Sequence, residues 1–277
     1  ESDAGLRGGY GAQMRLVIKI GGQAAEDRKL RHDLARQIAE LRRSGEDVVV
    51  VHGGGKTLTQ ALERMGIPTE FAAGLRVTNA ETRDLALMVL AGLVNKQWVA
   101  EIESHGQAAL GICGGDAKLM EARRLALRNG SQRRDLGFVG RPSKVDPAIL
   151  EWAFGRRMIP VVASVALGPR NEYFNVNADD FAAALATALP ADRLVYVTES
   201  GGVWDAQKRL LPEVRLKEIR SMIRKGVVRD GMIPKLLSCA RIMAGEVSEI
   251  DMISPASSNS LLRVIHSRER AGTRIVR

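Results

Sequence analysis

The sequence predicts an α/β fold built on a mainly parallel sheet, and three observations carry that expectation. Two short β-branched runs, Leu16 to Ile20 and Val48 to Val51, flank one helical segment; each ends beside glycines; and strand-then-helix alternation recurs toward the C-terminus. A strand apolar at every position has both faces covered, as parallel strands do when helices flank them.

The elements follow in order. After the first run, Leu30, Leu34, Ile38 and Leu41 recur at helical spacing on a charged background, and Gly45 closes that helix. Asp47 leads into the second run, so strand, helix and strand form a parallel unit with a right-handed crossover. Both glycine clusters, Lys19-Ile20-Gly21-Gly22 and His52-Gly53-Gly54-Gly55, then share one sheet edge. That edge, beyond the carboxyl ends of the strands, is where ligands collect. Thr82 to Val99 reads as a helix, Ala108 to Ile112 as a strand, Pro147 to Phe154 as a helix and Ile159 to Ala163 as a strand. The polar stretch Asn129 to Lys144, broken by Gly130, Gly137, Gly140 and Pro142, reads as a hairpin or long loop at the rim of a site. An alanine-rich helix spans Asp180 to Leu189, and the strand Arg193 to Thr198 ends at Glu199-Ser200-Gly201-Gly202, a third strand-then-glycine junction. Leu211 to Lys225 and Met232 to Ala244 read as helices, Glu249 to Ile253 and Arg274 to Val276 as strands. Pro190 marks a boundary between two lobes of one sheet, residues 14–190 and 191–277, and residues 1–13 form an extension ahead of Met14.

Composition narrows the function. The 277 residues are 45% apolar and 26% charged, an ordinary globular balance, and the net charge of +9 favours acidic small molecules. Scattered basic residues and few aromatics argue against nucleic acid. No apolar run reads as bilayer-spanning, and Glu1 to Gln13 has no apolar centre of a secretory leader. Cys113 and Cys239 read as packed thiols of a reducing cytosol, and His32, His52, His105 and His266 fall into no zinc-like spacing, so no protein-built metal site is expected.

The glycines carry the chemistry. Without a Cβ, main-chain N–H groups approach an oxyanion closely, and the helix that follows adds its positive end. Gly55-Lys56-Thr57 ends like a P-loop, but Val50 stands where that motif needs glycine, and the spaced third glycine of a dinucleotide site is missing too. Lys19 lies in an otherwise apolar strand, where an ammonium must reach solvent or meet an anion. In Asp230-Gly231-Met232-Ile233-Pro234-Lys235 a lysine sits near a positive helix end, a misplacement that an anion would relieve. Asn175, Asn177 and Asp179 alternate before the alanine-rich helix; one suffices as its cap, and in an extended run all three would face the same way.

Taken together, these segments resemble the amino-acid kinase family, in its acetylglutamate branch. The resemblance runs from Leu16 over nearly the whole chain and is also carried by Gly74-Leu75-Arg76-Val77-Thr78, Val94-Asn95-Lys96, Asp135-Leu136-Gly137-Phe138-Val139-Gly140 and Gly272-Thr273. It implies a three-layer sandwich, with the amino-acid site in the N-terminal lobe and ATP, bound with Mg²⁺, in the C-terminal lobe. A cytoplasmic homodimer joined through the N-terminal lobe is expected. By resemblance, Lys19 and Lys235 bind phosphate and Asp179 orients both, while Gly21, Gly22 and Gly54 offer N–H groups to the phosphoryl. Gly53, Gly54, Gly55, Arg76, Asn175 and Asn177 would hold the amino acid; Thr198, Glu199, Gly201, Gly202, Val203, Trp204, Asp230, Gly231 and Met232 would surround the nucleotide. The expected activity is phosphorylation of the side-chain carboxylate of N-acetyl-L-glutamate. The alternatives are a kinase for aminoadipate or glutamate on an acidic carrier protein, or a degenerate sensor. Glu199 departs from the family's Asp, and the short Gly-rich start lacks the helix of arginine-inhibited members, so no arginine feedback is expected.

Overall fold

The computed structural model describes residues 13–129, 132–228, 232–243, 245, 247–267 and 271–277. Asp230 and Gly231, and most of the 1–13 extension, lie outside them. Alternating burial explains the architecture. Along the strand Arg15–Ile20, Leu16, Ile18 and Ile20 point into one apolar core and Val17 into another, so both sheet faces are covered. The sheet has eight strands in the order Glu213–Arg215, Gly272–Val276, Glu249–Ile253, Arg193–Val197, Arg15–Ile20, Asp47–His52, Ile159–Ala163 and Ala109–Cys113. All neighbours are parallel except Gly272–Val276, which runs antiparallel to Glu249–Ile253. The expected three-layer sandwich around a mainly parallel sheet is the observed fold.

One core is covered by helices Ala148–Gly155, Ala178–Ala188, Leu216–Arg224 and Met232–Ile242, the other by Arg28–Arg43, Gly55–Arg64, the long helix Ala80–Glu103 and Ser260–His266. Asp27 caps Arg28–Arg43 by accepting from the N–H groups of Lys29 and Leu30 at 2.8 and 3.0 Å. The polar stretch is a hairpin, as expected, but with long arms, Met120–Asn129 and Gln132–Val145. Its strands close a small barrel with Val165–Leu167 and Tyr173–Val176, a layer the sequence reading did not anticipate.

Two expectations are corrected. Leu211 to Lys225 is not one helix: Pro212 interrupts it, Glu213–Arg215 joins the sheet beside Gly272–Val276, and the helix begins at Leu216. The helix Ala80–Glu103 is, by length and composition, apolar enough to cross a membrane. Its Leu85, Val89, Leu90, Val94, Trp98 and Ile102 are buried in the core, which accounts for part of the apolarity, while Met88 and Leu93 are exposed. Its middle, Leu87–Val94, is wound as a π-helix, a widening often found at functional sites.

Candidate active site

The strand Arg15–Ile20 ends between its two neighbours, so the turns after Ile20 and His52 lie side by side at the carboxyl edge. Lys19 shares the sheet face of Val17, which is covered by helix Ala178–Ala188. Asp179 stands in the first turn of that helix. Lys19 Nζ lies 2.7 Å from Asp179 Oδ1 and Lys235 Nζ 3.5 Å from Oδ2, although the lysines are far apart in sequence. Burial pushes the Asp179 carboxyl up, but the two ammonium groups outweigh it and hold its pKa below the ordinary carboxylate value. Lys235 occupies the first turn of helix Met232–Ile242, and Asp179 supplies the opposite charge that this position requires. Its Nζ also lies 5.4 Å from the ring of Tyr196, the residue level with Lys19 in the adjacent strand.

A cavity of about 250 Å³ opens beside the lysines, lined by Lys19, Gly21, Gly22, Gly53 to Gly55, Arg76, Asn175, Asn177 and Asp179. Two glycines leave room for their neighbours. A Cβ on Gly21 would collide with Lys19 Nζ, and at Gly54 (φ +154°) it would come within 2.8 Å of Leu90 Cδ2 in the π-wound turn. Arg76 is buried in the cavity wall, donating to the Gly55 carbonyl at 2.9 Å and to the hydroxyls of Thr59 and Thr69 at 2.7 and 3.3 Å. All these acceptors are neutral. Burial lowers its pKa, and among the described residues no carboxylate pairs with it, so the guanidinium is available to an anion.

Asn175, Asn177 and Asp179 do reach one cavity, but not as an extended run. Asn175 lies in the strand Tyr173–Val176, Asn177 is the helix N-cap accepting from Asp179 and Asp180 N–H, and Asp179 is already helical. The cap consumes the Asn177 oxygen and leaves its NH₂ for a ligand. An adjoining cavity of about 460 Å³ is lined by Gly22, Glu26, Gly54, Gly55, Lys56 and Glu199. Gly201, Gly202, Val203 and Trp204 line neither cavity. Val203–Trp204 pairs with Leu210–Leu211 in a small ribbon, and Val203 N–H donates to Thr273 Oγ1 at 2.8 Å. Thr198 follows the strand Arg193–Val197, its N–H donating to the Ile253 carbonyl at 2.9 Å, and Met232 opens Lys235's helix, partly buried against the core.

The sequence reading gave no role to His52 and Asn95, which sit beneath the second glycine turn. His52 Nδ1–H donates to the Gly53 carbonyl at 2.8 Å, and Nε2 accepts from the Asn95 amide at 3.1 Å; the same amide donates to the Val161 carbonyl at 2.9 Å. Burial lowers the His52 pKa to about 4 against a small opposing effect of Gly53, so the imidazole is neutral and the turn is pinned to the sheet. The available signal was a histidine inside an apolar strand directly before three glycines.

A cationic, glycine-floored cleft beyond the carboxyl ends of parallel strands defines an anion-binding α/β protein. The chain belongs to the amino acid kinase family, whose sequence model matches residues 14–253. It is 41% identical over 263 residues to the acetylglutamate kinase of Koribacter versatilis, covering 95% of this chain and 99% of that one. The acetylglutamate kinase of Methylobacterium nodulans is 40% identical over 268 residues, covering 95% and 88%. Among solved structures, N-acetylglutamate synthase from Neisseria gonorrhoeae, complexed with coenzyme A and N-acetyl-glutamate, superposes with TM-score 0.83 at 24% identity. The match covers 95% of this chain and spans 59% of the synthase. Carbamate kinase from Giardia lamblia bound to AMP-PNP gives 0.65 at 16% identity, covering 96% and 99%. These two likenesses concern the fold.

Proposed function

We propose that this protein transfers the γ-phosphoryl group of ATP to the side-chain carboxylate of N-acetyl-L-glutamate, forming an acyl phosphate and ADP. The observation that carries the reading is the convergence of Lys19 and Lys235 on Asp179 beside a glycine-floored cavity that Arg76 also lines. The names of the curated relatives support the substrate.

The chemistry suits these residues. A carboxylate acceptor is already ionised near neutral pH, so no general base is needed, and the obstacle is repulsion between anions. Arg76 pairs with the α-carboxylate of the amino acid, while the Asn175 amide and the Asn177 NH₂ hold its acetamido end. The side-chain carboxylate then points at the lysines and one of its oxygens attacks the γ-phosphorus as the bond to ADP breaks. Lys19, Lys235 and the N–H groups of Gly21, Gly22 and Gly54 stabilise the charge on the group in flight, which is the main work of a phosphoryl-transfer site. Asp179 holds both ammonium groups in place.

We assign Thr198, Glu199, Gly201 to Trp204 and Met232 to the nucleotide side, with residues 191–277 as the ATP lobe and 14–190 as the amino-acid lobe. Mg²⁺ favours one or two carboxylates together with phosphate oxygens, and Glu26 and Glu199, both on the adjoining cavity, fit that preference. Bound with the nucleotide, it would neutralise phosphate charge. Met88 and Leu93, 66% and 52% exposed on the long helix, support a homodimer through the N-terminal lobe. Cytoplasmic residence fits the two buried free thiols.

The test is trapping. With ATP, Mg²⁺, free N-acetyl-L-glutamate and hydroxylamine, the acyl phosphate appears as a hydroxamate in step with ADP. ADP formation only with a carrier-bound amino acid, or none at all, would overturn the substrate assignment.

A further inference from the structure

Outside the kinase cleft, packing of helix Arg28–Arg43 against the C-terminal turns of the long helix assembles His32, Glu101 and His105. The sequence reading expected no metal cluster from its dispersed histidines; sequence separations of 69 and 73 residues hid this one. One donor atom from each of the three side chains lies within 4.8 Å of the others. His32 Nδ1 approaches Glu101 Oε1 at 2.6 Å, and the two imidazole rings stand 4.5 Å apart, tilted by 50°. Arg31 takes the other carboxylate oxygen, Oε2, at 3.7 Å, which orients Glu101 and leaves Oε1 facing His32. The backbone is fixed as well: Arg43 donates to the His105 carbonyl at 2.9 Å, and a His105 ring nitrogen lies 3.2 Å from the His32 carbonyl.

Two imidazoles and one carboxylate are a donor set for borderline divalent ions. The geometry points to a surface site for one divalent transition-metal ion of the zinc class, ligated by His32, Glu101 and His105 with water in the open position. Two ligands of a tetrahedral zinc stand about 3.4 Å apart. His32 Nδ1 and Glu101 Oε1, now 2.6 Å apart, would have to open to that spacing, and the His32 ring, 59% exposed, has room to turn. An ion there would clamp the two helices together, away from the reacting groups, and stabilise the folded chain by mass action.

The test is a calorimetric titration of the full chain, free of any histidine tag, with Zn²⁺ alone, paired with thermal melts and the visible spectrum of the Co²⁺ form. The alternative ligands are few: His52, Cys113 and Cys239 are buried, and His266 is exposed elsewhere. One equivalent should bind, with a raised melting temperature and a tetrahedral Co²⁺ spectrum. His32→Gln and His105→Ala should weaken binding by about tenfold or more, while His266→Gln should not. Unchanged kinase turnover in His32→Gln would establish that this variant is folded. Zn²⁺ binding equal in His32→Gln and wild type, or no saturable binding in wild type, would overturn the site and leave His32 and Glu101 as a simple hydrogen-bonded pair.

Discussion

Asp179→Asn removes the negative charge that two ammonium groups share while keeping the side chain's shape. Lys19 and Lys235 lie 2.7 and 3.5 Å from its oxygens, attractions of about 6 and 5 kcal/mol at an effective dielectric constant of about 20. Desolvation of these largely buried groups cancels much of that, and breaking such a pair from one side costs about 3–5 kcal/mol. If about 3–4 kcal/mol of this reaches the transition state, kcat falls by roughly 10² to 10³. The amide no longer orients the lysines, yet both still attract the triphosphate, so the KM for ATP should change little. Steady-state ADP release at saturating N-acetyl-L-glutamate measures both constants. A kcat within about fivefold of wild type would refute the role, since about 1 kcal/mol is too small for a shared counter-ion.

The same substitution has a pH signature. The folded Asp179 pKa is depressed, so its contribution to stability is fully present above the unfolded value of about 3.9 and is lost as pH falls through the lower folded value. The stability gap between wild type and Asp179→Asn, read by urea unfolding, should therefore shrink in acid. A gap that widens there would contradict the pairing.

Gly21→Ala places a methyl where Lys19 Nζ now lies, displacing the ammonium without straining the backbone; kcat should fall by about 10² with little change in melting temperature, and unchanged kcat would refute the contact. Arg76→Ala should raise the KM for N-acetyl-L-glutamate by roughly 10- to 100-fold, the worth of a charged hydrogen-bond partner, and an effect confined to ATP would misplace the amino-acid site. His52 stays neutral down to about pH 4, whereas the unfolded chain binds its proton near 6.5. Its contribution is fully present above about pH 6.5 and is lost as pH falls toward 4; His52→Gln should flatten that limb in urea unfolding, and an unaltered slope would contradict the neutral pairing.

The layers of the fold were legible where burial leaves a periodic trace. Val48 to Val51 and Ile159 to Ala163 are apolar at every position, and both prove to be inner strands of the parallel sheet. The small barrel was not legible, because Met120–Asn129 and Gln132–Val145 are rich in charges and carry no clean alternation to mark two long strands. Lys19 and Lys235 were conspicuous through local inconsistency, one in an apolar strand and one at a positive helix end. His52 and Asn95 were hidden because their partners are backbone carbonyls and each other, brought together only by tertiary packing. The cluster of His32, Glu101 and His105 was hidden for the same reason: helix packing, and not spacing, makes them neighbours.

The shared phosphate grip of Lys19 and Lys235 is tested most directly by a crystal structure with a non-hydrolysable ATP analogue, Mg²⁺ and N-acetyl-L-glutamate. The terminal phosphate should lie over Gly22 and Gly54 with both Nζ atoms within about 3 Å of its oxygens, Asp179 between them, and the substrate α-carboxylate on Arg76. A terminal phosphate held by one lysine while the other remains in a separate cleft would contradict it.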